Sequence, residues 1–453
     1  MPFYFQLKRP RPADKDRHNR TIAGLKRLRV ALRTHFKSRE DRTCTVRIGT
    51  WNLREFGGTK HGGRDYEPLY YIAEIISNFD IAALQEVRGD LREFKALCRV
   101  LGPDWDYLAT DVTDGSSGNG ERMVFLYNQR KALFRNIAGE LTLPEGSTVL
   151  AAFGERLTLG NGCALRLADG TDLSGEYRAA TQKDAGGNVK LAKDLEIPLP
   201  AGSLLELPDG CALTIVKNEK VERPRSGIAK VDIPSPKVAA KRYRVRLPGG
   251  TLDDSFKQFA RTPYTVSFQA GWLKINLCTV HIYFGDNEDP KLLKQRQDEI
   301  AALSKALGKR AEQDLKDDPE SRTMSGVLGD FNIISKEHET MKALENNGFV
   351  VPEALKSIPG SNVAQDKAYD QIAFWKPDLN RGHVRLEIVG AGVFDYYKHV
   401  YRLEDQESYQ PGGTPQKYRD WRTYKMSDHL PMWIELKTDF GDDYLATCGT
   451  PEG

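Results

Sequence analysis

The chain has 453 residues, 40% hydrophobic and 28% charged, with a net charge of +3. This is the make-up of a globular protein and excludes a low-complexity or collagen-like chain. Six cysteines without C-x-x-C spacing exclude a zinc module and a dense disulfide framework.

No signal-peptide pattern and no run of about 18 apolar residues is present, so no membrane span is expected and a cytoplasmic location is the default. Residues 1–43 form a basic N-terminal extension, with thirteen Lys/Arg against Asp14, Asp16, Glu40 and Asp41. Residues 1–20 are polar and proline-containing and are expected to be disordered. From Thr21 to Phe36, Ile22, Leu25, Leu28, Leu32 and Phe36 recur at helical spacing with Lys26, Arg27, Arg29 and Arg33 between them. This predicts a basic amphipathic helix. Packing on the domain with a solvated basic face is the first reading, docking on nucleic acid or an acidic partner the second.

Residues 45–53 alternate as a strand ending at Asn52, and a Gly-rich loop leads to a helix near 67–78. Residues 80–87 read as a buried strand ending at Glu86, 91–102 as a helix closing at Gly102, and 105–109 as a short strand. Glu121 opens the strand 122–128, after which LFRNIAGEL is expected to return antiparallel. Residues 144–257 change character, with short alternating runs rich in Gly, Ala, Pro and Lys. Within them GERLTLGNGCALRL (154–167) echoes GSLLELPDGCALTI (202–215), with Cys163 and Cys211 in equivalent places. Two copies predict an inserted β-rich module with an internal repeat rather than a solenoid. The module is also the candidate surface for a protein partner.

The core pattern resumes in residues 258–437. YTVSFQA and WLKINLCTV predict a hairpin with His281 at its end, followed by a helix from Pro290 to Leu307. A strand then runs into Asp330 and Asn332, and a helix is expected near 336–346. Strands are expected at 368–375, with Asp370 near its start, and at 383–390. Asp428 and His429 precede the last strand, and residues 438–453 form an acidic tail expected to be loose. Asn52, Glu86, Glu121, His281, Asp330, Asn332, Asp370, Asp428 and His429 thus all stand at strand edges, where α/β sheets place their sites. Each has a bland role alone: a cap, a turn, a satisfied core histidine. Asp330 and Asn332, two apart, either face one way as an oxygen platform for Mg²⁺ or Mn²⁺ or make a turn with side-chain-to-backbone bonds.

In this order, N-x-x-x-F-G, QEV, GER, TVH, GDFN, YDQI and SDH resemble the DNase I-like endonuclease/exonuclease/phosphatase superfamily over most of residues 44–437 outside the insert. GER and YDQI resemble its DNase I branch. The resemblance implies an α/β (α+β) fold of two packed mixed β-sheets flanked by helices, built from 44–143 and 258–437. It implies Glu86 as principal metal ligand with Asn52 and Asp428 near the metal, and Asp330 and Asn332 orienting water and phosphate. It pairs His429 with Asp370 and His281 with Glu121, and it makes Arg261 a phosphate-contacting residue. Where DNase I-like nucleases often carry a tyrosine two residues before the GER glutamate, this chain has Asn119. The function implied is a divalent-metal-dependent phosphodiesterase, with DNA endonuclease the first choice and Mg²⁺ or Mn²⁺ as cofactor. The alternatives are a phosphatase or phospholipid phosphodiesterase of the same superfamily, or a non-catalytic nucleic-acid-binding protein on this fold.

Overall fold

The structure, a computed structural model, describes residues 2–8, 15–36, 43–112, 120–141, 259–317, 323–378 and 384–448, with short strands between 146 and 246. The chain divides into two compact units, one made of Met1–Leu141 with Phe259–Gly453 and the other of Thr142–Gln258.

In chain order the first unit begins with α1 (Lys15–His35) and β1 (Thr45–Phe56), then α2 (Tyr66–Ile76), β2 (Ile81–Arg88) and α3 (Arg92–Leu101). Next come β3 (Trp105–Ala109), β4 (Glu121–Asn128) and β5 (Leu133–Glu140). After the second unit follow β6 (Tyr264–Ala270), β7 (Leu273–His281), α4 (Pro290–Asp317) and β8 (Thr323–Asp330). The unit closes with α5 (Glu339–Glu345), β9 (Phe349–Val350), α6 (Glu353–Lys356), β10 (Asp370–Trp375), β11 (Ile388–Val393), α7 (Gln406–Tyr409), α8 (Pro415–Lys425), β12 (Met432–Lys437) and α9 (Gly441–Cys448).

Two six-stranded mixed sheets result. One runs β11-β12-β1-β2-β4-β3 and the other β9-β10-β8-β7-β6-β5. In the first, only β1 and β2 pair in parallel, and in the second only β7 and β8. A parallel pair needs a crossover, so each draws a helix, α2 or α4, over its sheet. The central strands of the two sheets face each other, and β1 is buried over nine successive residues because the other sheet covers one face and helices the other. Arg47 and Glu435, both buried, bridge the first strand of the sheet to the last at 2.9 Å.

Four expectations change. LFRNIAGE does not return against β4. Both edges of β4 are taken, by β2 and β3, so the strand crosses to the other sheet and pairs with β6. The basic helix starts at Lys15, and Leu25, Leu28, Leu32 and Phe36 join the core formed with α2 and α3. Its arginines pair with acids of the domain, Arg17 with Asp65, Arg29 with Glu74 and Arg27 with Asp405, so the packed reading holds for this helix. Residues 2–8 are likewise built in. The Phe3 N–H donates to Val100 O, and Tyr4 packs edge-on against Tyr70 and hydrogen-bonds Glu74, so a backbone bond and one aromatic ring tie the segment down. The tail forms α9, docked by a Tyr444–Trp272 ring contact and a Lys437–Asp443 ion pair at 3.2 Å.

In the second unit, Gly146–Ala151 pairs with Leu195–Pro200, and Ala212–Lys217 pairs with three short strands. The first repeat copy, 154–167, and both Cys163 and Cys211 lie outside the described residues, as does Asn119.

Candidate active site

Asn52, Glu86, His281 and Asp330 come from the far parts of their strands, Asn332 from the turn after β8, Glu121 and Asp370 from the first positions of β4 and β10, and Asp428 and His429 from the turn before β12. β1 and β2 both lose register at the same level, between Asn52 and Phe56 and between Leu84 and Val87. Such bulges re-aim side chains beside sites. Glu86 sits in the bulge with φ +61° and Asn332 has φ +52°, a left-handed backbone that costs energy in a residue with a Cβ. Gly329, at φ +141°, lets β8 run against β7; a Cβ there would fall 2.1 Å from Val280 O.

The centre is one oxygen. Asp330 Oδ2 lies 3.6 Å from His281 Nε2 and 3.6 Å from His429 Nε2, and it accepts a hydrogen bond from Asn52 Nδ2 at 3.0 Å. Both imidazoles are held from behind. His281 Nδ1 is 3.1 Å from Glu121 Oε2, and His429 Nδ1 is 2.8 Å from Asp370 Oδ2. A carboxylate on Nδ1 fixes the tautomer and leaves Nε2 to work at the centre. Asp330 also does what the bland reading expected: its Oδ1 accepts the Asn332 N–H at 2.9 Å, a local turn bond. The Asn332 amide donates to Ile282 O at 2.8 Å, tying the end of β8 to that of β7.

Glu86 joins through Asn52, whose Nδ2 also donates to Glu86 Oε1 at 3.0 Å. Asn52 Oδ1 is occupied by the Arg54 N–H, so Asn52 as placed spaces two carboxylates. Asp428 stands apart from the others. Its side chain is 46% exposed and its ion pair, at 3.5 Å, is with Arg54. Arg261 is buried; its Nε donates to Glu121 Oε1 and its Nη1 to Ile282 O, so it holds the His281 dyad from behind.

The proton affinities follow from these contacts. Burial opposes charge on His429, yet the carboxylates of Asp370 and Asp330 outweigh it and raise its pKa well above the ordinary 6.5. His281 is raised too: burial opposes, Glu121 favours the proton, and Arg261 works against it. Burial pushes against the ionised forms of Glu86, Glu121 and Asp330, but the neighbouring imidazoles hold all three below the usual carboxylate range. Asp370 is raised by burial. One of its oxygens, Oδ1, is buried without a partner.

Among the described residues two groups have donor atoms within 4.8 Å of one another: Glu86, Glu121 and His281, and Asp330, Asp370 and His429. Four carboxylates converge here against one guanidinium, and this excess of hard oxygen charge fits a divalent cation such as Mg²⁺ or Mn²⁺. Glu86 is the best-placed ligand, because its side chain is 19% exposed while Glu121 already spends its oxygens on Arg261 and His281.

Several residues went unmarked in the sequence. Ser427, inside SDH, donates to Asn52 O at 2.6 Å and accepts the His429 N–H at 2.9 Å, so it locks β1 to the histidine. Ser361 accepts the Asp370 N–H at 2.9 Å. Glu299 of α4 accepts the N–H groups of Ala260 and Tyr283 and so pins the loops that carry Arg261 and follow His281. Phe284 and Tyr369 meet edge to face, and Tyr369 lies 5.7 Å from the His429 ring.

No family model matches the sequence, and no curated protein matches it. Among solved structures, the chain is similar to an endonuclease/exonuclease/phosphatase family protein from Bacteroides thetaiotaomicron, with 13% identity and a TM-score of 0.41, over 87% of this chain and 98% of that one. It is also similar to a mannosyl-6-phosphatase from Bacteroides thetaiotaomicron VPI-5482, with 13% identity and a TM-score of 0.40, over 86% and 99% of the two chains. A third is D. rerio TDP2 complexed with single strand DNA product, with 10% identity and a TM-score of 0.40, over 87% and 99%. The likeness is of fold and carries no substrate with it.

Proposed function

We propose that this chain is a divalent-cation-dependent phosphoesterase, and that it hydrolyses phosphodiesters, with internal bonds of DNA as the favoured substrate. The observation that carries the reading is the convergence of two carboxylate-held imidazoles on Asp330 Oδ2. Hydrolysis of a phosphodiester needs an aimed water, relief of charge on the phosphoryl oxygens and a proton for the departing alkoxide. Asp330 accepts a hydrogen bond from the water and orients it. The two histidines divide the proton work, His281 on the side of Glu86 and His429, the stronger holder of a proton, as donor. A divalent cation, held by Glu86 with Asn52 beside it and with Asp428 if it leaves Arg54, would supply charge relief on the phosphoryl oxygens. Asn52 and Asn332 keep the carboxylates and the β7 and β8 ends in register. Phe284, exposed, and Tyr369, half-buried, offer ring faces and edges beside His429 on which a nucleobase can stack, which favours a nucleic acid.

The test uses the full chain stripped with EDTA and then given Mg²⁺ or Mn²⁺. Substrates are plasmid, single-stranded DNA, RNA, bis-p-nitrophenyl phosphate and p-nitrophenyl phosphate. The expected result is nicking of plasmid and cleavage of the diester only with metal, with Glu86→Gln needing more metal for the same rate. Cleavage of the monoester alone would make the chain a phosphatase. No hydrolysis of any substrate under either metal rejects the proposal.

A further inference from the structure

Behind the segment that carries His429 lies an open cavity of about 380 Å³. Its wall includes Tyr397, Leu403 and Arg422, with two carboxylates, Asp395 and Glu404, and two further cations, Lys398 and Arg402. No residue of the catalytic cluster lines it.

Among the described residues the ion pairs at this wall leave one cation without a carboxylate. Lys398 pairs with Asp395 at 3.4 Å, and Arg402 pairs with Glu404 and, through two nitrogens, with Asp405. Each carboxylate therefore has its cation. Arg422 is left over. It is 7% exposed, its Nη1 donates to a backbone carbonyl, Tyr401 O, at 3.1 Å, and its guanidinium lies 4.1 Å over the Tyr397 ring. Its Nε is buried and has no acceptor among the described residues. Burying a guanidinium without a counter-charge is costly, and stacking on a ring offsets only part of that cost. A cation so placed on a cavity wall is satisfied by an anion, and the planar fork of arginine matches a phosphoryl or carboxylate group. The volume is that of a small-molecule pocket and too small for a macromolecule.

We propose that this cavity is a binding site for a small oxyanion, anchored by Arg422 with Tyr397 and Leu403 against its apolar part. The site borders the support of the catalytic histidine. Tyr397 Oη donates to Ser427 O at 2.8 Å, and Tyr396 Oη to both Ser427 O and His429 O at 2.9 Å. An occupant would stiffen the segment Ser427–His429 from behind.

The probe is inorganic phosphate, added to the EDTA-treated full chain and read by calorimetry and by the shift in melting temperature. Three variants separate the outcomes. Arg422→Met keeps the stem over Tyr397 and removes the charge. Leu403→Trp fills the cavity from an exposed rim position that the fold does not depend on. Asp330→Asn alters the catalytic centre alone. The expected result is phosphate binding in the unaltered chain and in Asp330→Asn, weakened at least tenfold in Arg422→Met and in Leu403→Trp. If Arg422→Met does not fold, Leu403→Trp decides. No phosphate binding by the unaltered chain overturns the proposal, as does unchanged binding in Leu403→Trp, or tighter binding in Asp330→Asn, which would put the phosphate in the catalytic cluster.

Discussion

The two imidazole–carboxylate pairs look alike and differ in one partner. Behind His281, the carboxylate of Glu121 is shared with a buried cation, Arg261. Behind His429, the carboxylate of Asp370 has no cation, and one of its oxygens has no partner at all. An arginine on the carboxylate drains the charge that would hold the imidazole's proton; its absence leaves that charge whole. The same motif thus yields a histidine that releases its proton more readily and one that keeps it, which is the division of labour a base and an acid need.

The largest effect is expected where the pairs meet. Asp330→Asn keeps the size of the side chain but removes the charge that both Nε2 atoms face, and hydrolysis should fall by about 10⁴-fold. Steady-state rates on bis-p-nitrophenyl phosphate check this, and a loss under tenfold would mean that Asp330 is only a turn residue. Next come the single histidines. On plasmid DNA, whose alkoxide leaving group needs a proton, His281→Ala and His429→Ala should each lose at least about 100-fold, with folding checked by circular dichroism. If the pairs divide the work, a substrate with a good leaving group, which needs no proton, should recover much of the rate in His429→Ala and not in His281→Ala. Equal recovery in both would erase the asymmetry.

A smaller change sharpens the comparison by making the first pair resemble the second. Arg261→Gln removes the cation behind Glu121, so the His281 pKa should rise and the acid limb of the pH–rate profile should move to higher pH, with kcat at its plateau reduced by about 10-fold or less. An unmoved profile would mean that Arg261 serves only packing. The smallest expected effect is on stability. The folded pKa of His429 is raised above its unfolded value, near 6.5, so its contribution is full below pH 6.5 and is lost as pH rises through the folded value. The melting temperature of the metal-free protein should therefore decline with rising pH above 6.5, and His429→Asn should flatten that decline more than His281→Asn. The reverse order would contradict the reading of Arg261.

What the sequence shows and what it hides divide along range of interaction. Asn52, Glu86, Asp330 and His281 were visible because each follows an apolar run, and a strand's end is a local property. The bond from Arg261 to Glu121 was hidden because nothing in F-A-R-T-P announces a carboxylate 140 residues away. β5 was sent to the wrong sheet for the same reason: whether an edge of β4 is open depends on where β2 and β3 lie. The N-terminal helix showed its apolar stripe plainly, but a charged face reads the same whether solvent or Asp65, Glu74 and Asp405 receive it. The supporting hydroxyls, Ser361 and Ser427, carry no spacing signal, since each acts on a backbone group.

The pairing of Arg47 with Glu435 sets a clock. β1 is synthesised well before its partner on one edge, β12, with 388 residues between the two ends of this ion pair. At the usual 5–20 residues per second, the edge of β1 waits about 20 to 80 s for its neighbour. For that interval Arg47 has no carboxylate across from it, and an apolar strand offers open backbone groups to any other chain nearby. The sheet that presents Glu86 and Glu121 can thus close only after β12 has been made. A chain truncated anywhere before Met432 forfeits β12 along with one edge of the sheet that presents Asn52 and Glu86.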